Sequence, residues 1–77
     1  MKVLVLGGYG LIGEALVGRL LRDGHYVAGL GRDVLDAERR RPAVRWIAAD
    51  MSRLLAAEDW LPVVAGVDAV VNSAGAL

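Results

Sequence analysis

Short aliphatic runs alternate along this chain with longer stretches of helical periodicity. Val3-Leu4-Val5-Leu6 is a continuous apolar run that stops at glycines, the pattern of a strand buried on both faces. Leu11 to Arg22 predicts a helix, with Ile12, Leu16 and Leu20 on one face beside Ala15. Glu14, Gly18, Arg19 and Arg22 fall largely on the opposite face. Asp23-Gly24 ends that helix, with Gly24 just past the cap. Tyr26 to Leu30 predicts a second strand, entered through His25. Val34 to Arg41 predicts a short charged helix or turn stopped by Pro42. Val44 to Ala48 predicts a third strand carrying Trp46 and Ile47. Ser52 to Ala65 holds a helix, broken or begun around Glu58-Asp59, with Pro62 expected in its first turn. Val67 to Asn72 predicts a fourth strand, and Gly75 lies in the loop after it.

The order is β-α-β-(α)-β-α-β. Strands separated by helices pair in parallel, because parallel neighbours need crossover connections. Right-handed crossovers put helices on both faces of the sheet. The expected fold is α/β, a parallel sheet of about four strands in the order 3-2-1-4, half of a doubly wound architecture. Residues 1–77 form a single, partial domain.

Composition narrows the class. A chain of 77 residues is one domain at most. With Cys 0 and His 1, a disulfide scaffold and a Cys- or His-based metal site are excluded. Lys+Arg 9 against Asp+Glu 9 argues against a nucleic-acid-binding module, and Arg39-Arg40-Arg41 reads as a solvated face. Hydrophobic residues at 56% and a mean hydropathy of +0.45 exclude disorder. Glycines interrupt the first apolar run before it can serve as a signal peptide, and no stretch reaches the ~18 apolar residues of a membrane span. The cytoplasm is the expected compartment. Trp46 and Trp60 read as core or cover, and His25 as structural.

Candidate chemistry centres on Gly7-Gly8-Tyr9-Gly10-Leu11-Ile12-Gly13, between the first strand and the first helix. Gly7 permits a tight turn, Gly10 lets a pyrophosphate approach the backbone, and Gly13 lets the helix pack closely on the sheet. The N–H groups of the first turn, including Leu11 and Ile12, then face the phosphates. The competing reading is a tight turn that binds nothing. About 20 residues further on, where such folds read the ribose, stand Gly31-Arg32-Asp33. The Arg32 guanidinium suits a 2′-phosphate and so favours NADP, whereas Asp33 on the ribose would favour NAD. A solvated surface charge is the bland reading of Arg32.

The spacing G-x-x-G-x-x-G resembles the glycine motif of the extended and atypical short-chain dehydrogenase/reductases, the NAD(P)-dependent epimerase/dehydratase-like proteins. Gly31-Arg32-Asp33, Asp50-Met51 and Val70-Val71-Asn72-Ser73-Ala74-Gly75 resemble the same family, so the likeness runs from first strand to fourth. It implies an NAD(P)-binding Rossmann fold. It also implies that the Asp50 carboxylate accepts the adenine amino group, that the Met51 backbone holds a ring nitrogen, and that Ser73, Ala74 and Gly75 flank the cofactor. A helix N-terminal acid or an Asx turn is the alternative for Asp50, and an ordinary tight loop for Ser73 to Gly75.

The family's Tyr-x-x-x-Lys pair has no counterpart here. The tyrosines are Tyr9 and Tyr26, and the one lysine is Lys2. The chain alone is therefore expected not to turn over, and no residue is assigned a catalytic role. An apolar fourth strand, Val67 to Val71, would be left as a sheet edge and predicts a homo-oligomer through that edge. Three functions compete: the cofactor-binding amino-terminal part of an NAD(P)-dependent oxidoreductase, epimerase or dehydratase, a non-catalytic dinucleotide sensor, and a scaffold domain with a vestigial site. The end at Ala76-Leu77, directly after a loop motif, favours the first.

Overall fold

A computed structural model of the protein describes residues 1–7, 10–54 and 56–73. Its elements are β1 (Lys2–Leu6), α1 (Leu11–Arg22), β2 (Tyr26–Gly31), α2 (Leu35–Arg40), β3 (Arg45–Ala48), a 3-10 turn (Met51–Arg53), α3 (Ala57–Val64) and β4 (Ala69–Asn72). The four strands form one sheet in the order β3-β2-β1-β4, and every pairing is parallel. This is the expected α/β topology. The register sets Leu4 beside Ala28 on one side and Val70 on the other.

The period-two alternation of β1 divides the core. Val3 and Val5 point to one face, where they join Val17, Val27 and Val44, with Leu16, Leu20, Leu21 and Trp46 packed against them. Leu4 and Leu6 point to the other face and join Leu30, covered by Trp60, Val63 and Val64 of α3 together with Met51 and Leu54. Leu4, Val5, Val17 and Leu30 are completely buried. Each such side chain contributes about 1.5–3 kcal/mol relative to exposure.

The helical face of α1 differs from the sequence expectation. Gly13 and Val17 are its buried residues, whereas Ile12 is 71% exposed and Ala15 is also exposed. The buried stripe is centred on Gly13, Val17 and Leu20. Gly13, without a side chain, occupies the buried face, and Ile12 is turned outward. Glu14 and Gly18 are correspondingly turned toward α2 instead of solvent. Arg41, just past α2, crosses α1 so closely that a Cβ on Gly18 would sit 2.8 Å from its Nη2. Its Nε donates to Glu14 Oε1 at 2.9 Å, and Arg40 Nη1 lies 3.9 Å from Glu14 Oε2. The arginine run is thus divided, with Arg40 and Arg41 in ion pairs rather than on a purely solvated face. These contacts put α2 on the α1 side of the sheet, while α3 covers the other.

Other boundaries follow local chemistry. α1 ends in a Schellman arrangement: Gly24 (φ 86°) donates to Leu21 O at 3.1 Å and His25 to Leu20 O at 3.1 Å. Trp46 lies flat over Gly29, where a Cβ would stand 2.6 Å from its Cε3, and its indole donates to Arg41 O at 3.0 Å. Glycine at 29 is the condition for that packing. α3 begins one residue before Glu58, and the Asp59 carboxylate accepts the Ala56 N–H at 3.0 Å. Pro62 stands inside α3, not in its first turn. The Asp59 bond fixes the helix start upstream, and Pro62 then removes one backbone bond late in an eight-residue helix.

Candidate functional site

The carboxyl end of β1 turns sharply at Gly7, whose φ of 73° is strained for any residue with a Cβ. Gly7 donates to Leu30 O at 2.9 Å and accepts the Gly10 N–H at 3.2 Å, so the turn is pinned to β2. Gly10 is the N-cap of α1 in extended conformation, with no side-chain cap. Glu14 N–H to Gly10 O, at 2.7 Å, is the first helical bond. The N–H groups of Leu11, Ile12 and Gly13 precede it and have no intrahelical acceptor. They form the positive end of the helix dipole, suited to an anion.

Gly10 is informative because the fold does not require it. Its φ of −74° is open to every residue, and a Cβ there would meet only Gly7 O, at an ordinary 3.7 Å. Among the described residues nothing excludes a side chain at this position. A phosphate drawn against the backbone would.

A cavity of about 320 Å3 opens beside the turn, at the carboxyl ends of β1, β2 and β3. Gly7, Gly31 and Arg32 line it together with Asp50, Met51 and Ser52. Four residues singled out from sequence, at positions 7, 32, 50 and 51, therefore share one concavity. Asp50 Oδ1 accepts both the Ser52 N–H at 3.0 Å and the Ser52 hydroxyl at 2.7 Å. These two bonds hold the Asp50 carboxyl below the ordinary carboxylate range; desolvation opposes them, and the charges of Arg32 and Arg53 add to the lowering. The Asx turn and the cavity wall are thus the same residue. Asp33, the rival to Arg32, accepts the Leu35 N–H at 3.3 Å through Oδ1, at the start of α2.

Ser73 stands against the glycine turn. Its N–H donates to Leu6 O at 3.0 Å and its hydroxyl to the same oxygen at 2.7 Å, with Gly7 O at 3.3 Å. It ties the end of β4 to the turn. Ala74 and Gly75 lie outside the described residues. Ser52 and Arg53 were missed from sequence; the Asp-x-Ser spacing of an Asx turn was the signal for Ser52. Among the described residues no group of acidic, His or Cys side chains could hold a metal, and no helix is long and apolar enough to cross a membrane.

The model of the NAD dependent epimerase/dehydratase family matches residues 3–77. The chain belongs to that family. A structure of a Lactobacillus casei protein is 32% identical, with a TM-score of 0.81, over 100% of this chain and 34% of its own. Two more distant structures share the fold of this epimerase/dehydratase domain. Pen from Bacillus thuringiensis is 18% identical with a TM-score of 0.73, over 90% of this chain and 23% of its own. The dTDP-glucose 4,6-dehydratase of Bacillus anthracis, solved in complex with NAD, is 19% identical with a TM-score of 0.71, over 99% of this chain and 27% of its own. The epimerase/dehydratase domain here thus spans about a third of the first protein's length and about a quarter of the others'. Comparison with curated proteins gives no match.

Proposed function

We propose that these residues are the dinucleotide-binding part of an NAD(P)-dependent oxidoreductase, epimerase or dehydratase. The observation that carries the reading is the shared cavity: the glycine turn, the Arg32 tip and Asp50-Met51 border one space at the carboxyl edge of the sheet. The pyrophosphate would rest on the backbone from Gly7 through Gly10 to Gly13, against the N–H groups of Leu11 and Ile12. Asp50 and the Met51 backbone would hold the adenine, and Ser73, Ala74 and Gly75 would flank the ribose side. When bound, a nicotinamide dinucleotide supplies hydride donation and acceptance. The family's Tyr-x-x-x-Lys pair is not among these 77 residues, so this part supplies binding and not proton transfer.

Arg32 favours NADP over NAD. Asp33 supports this reading, because its carboxylate is turned to the Leu35 N–H. A guanidinium at the strand tip can then fork onto a 2′-phosphate. Titration of the purified chain with NADP+ and NAD+ tests it. Arg32→Ala is expected to weaken NADP+ binding about tenfold or more and leave NAD+ unchanged. Equal loss for both would remove the 2′-phosphate role. Gly10→Val is expected to abolish binding of both while costing only about 1 kcal/mol of stability, the loss of a favoured N-cap residue. Retained binding in that variant would remove the pyrophosphate role of the turn.

The edge position of β4, with Val70 50% and Val71 36% exposed, supports a homo-oligomer joined through that strand. Strictly monomeric light scattering at high concentration would rule it out. A cytoplasmic setting accords with a chain lacking cysteine.

A further inference from the structure

We propose that the opposite end of the sheet holds a second small-molecule site, one that takes a carboxylate with a short apolar body. The strands begin alike. Lys2, Tyr26 and Arg45 open β1, β2 and β3, and each is followed two and four residues later by Leu4 and Leu6, Ala28 and Leu30, or Ile47 and Ala49. The parallel register sets Lys2 beside Tyr26 and Arg45 beside Ala28. Period two therefore places all three on the α3 face of the sheet, below the apolar residues that α3 covers. Tyr26 is 74% exposed, and Ala65 and Val67, just past α3, border the row.

A cavity of about 240 Å3 lies there, lined by Lys2, Tyr26 and Arg45 around a floor that includes Ala28 and Val67. The volume falls below the roughly 300–1,000 Å3 of sites for drug-sized ligands, so its occupant is small. Both cations are available. Among the described residues neither the Lys2 ammonium nor the Arg45 guanidinium has an ion-pair partner. Asp68 is bonded to the Lys2 backbone N–H at 2.7 Å and not to its ammonium. The ammonium instead leans over the turn before β4, 3.8 Å from where a Cβ on Gly66 would stand. Two unpaired cations and a phenol at the rim of an apolar floor complement one anionic head on a hydrocarbon body. A phosphorylated sugar would satisfy the charges and waste the floor; a neutral hydrocarbon would do the reverse.

The test is a titration of the isotope-labelled chain with hexanoate, followed by amide chemical shifts. Saturable shifts confined to Lys2, Tyr26, Ala28, Arg45 and Val67 are expected. Acetate and hexylammonium, lacking the body or the charge, are expected to give none. Lys2→Met and Arg45→Met are each expected to weaken hexanoate about fivefold. Both residues are exposed, and an unchanged circular dichroism spectrum shows that the fold is kept. No saturation, equal response to acetate, or unchanged affinity in both variants would overturn the proposal.

Discussion

The two faces of the sheet are finished to different degrees. On the α1 face the core closes. Val3, Val5, Val17, Val27 and Val44 are all buried, Trp46 seals Gly29, and Arg41 bridges α2 to α1 through Glu14. On the α3 face the strands are equally buried at Leu4, Leu6 and Leu30, yet α3 itself has no buried residue. Leu61 is 66% exposed, and Val70, beside Leu4 on this face, is 50% exposed; Val71, beside Val5 on the other face, is 36% exposed. The difference teaches where this domain is self-sufficient. The glycine turn and α1 lie on the closed side, whereas Leu30, Ala49 and Met51 of the cavity wall belong to the α3-face cluster, so the candidate site draws on both. β4, beside β1 at the edge of the sheet, is exposed on both faces, through Val70 on one and Val71 on the other.

The strongest way to break the comparison is to empty one buried position and watch the whole domain. A chain of this length has a stability of roughly 4–12 kcal/mol. Leu4→Ala removes a completely buried side chain from the central strand and is expected to cost about 3 kcal/mol. Urea unfolding should show a midpoint shifted far down, or no cooperative transition. A loss below about 1 kcal/mol would mean that the α3 face is loose down to the sheet itself.

Gly29→Ala probes the closed face next. The added Cβ would overlap the Trp46 ring, and an indole bonded to Arg41 O cannot move aside alone. The expected cost is about 2 kcal/mol, together with a shift in Trp46 fluorescence. Glu14→Gln leaves Arg41 without its half-buried carboxylate and is expected to cost about 1 kcal/mol by the same unfolding assay. Leu61→Ser on the exposed side of α3 is expected to change stability by less than about 0.5 kcal/mol. A larger loss there would show that α3 has a partner surface that its exposure does not reveal.

These residues also mark what could be read before any coordinates. The strand order was legible because alternation of aliphatic runs and helices leaves few parallel topologies. The glycine turn, Arg32 and Asp50-Met51 were legible because each follows a strand at its carboxyl end. The roll of α1 was not. Periodicity weighs apolar size, and Ile12 outweighs Gly13, whereas close packing favours the residue with nothing in the way. Gly29 and Arg41 were hidden for a related reason: a gap filled by an indole, or a guanidinium lying over Gly18, is a tertiary fact that neither residue announces. Pro62 in α3 was misplaced because its position was judged by propensity, while Asp59 and Ala56 set the start.

The smallest effect sits in the cavity wall, at Asp50. Its carboxyl is held below the ordinary range first by the Ser52 hydroxyl and then by the Ser52 N–H. A carboxylate depressed by folding contributes stability that is fully present above its unfolded pKa and lost as pH falls through the folded one. The Met51–Arg53 turn should therefore hold near neutrality and loosen only in acid, below the normal aspartate range. Ser52→Ala removes the larger bond while the N–H remains, so the Asp50 titration should move upward toward the ordinary value without reaching it. The Asp50 side-chain carbon resonance, followed by NMR against pH in both proteins, reads this directly. An unchanged midpoint would mean that the Ser52 N–H with Arg32 and Arg53, not the Ser52 hydroxyl, sets the charge of this wall, and the part due to the arginines should then disappear at high salt, where exposed charges are screened.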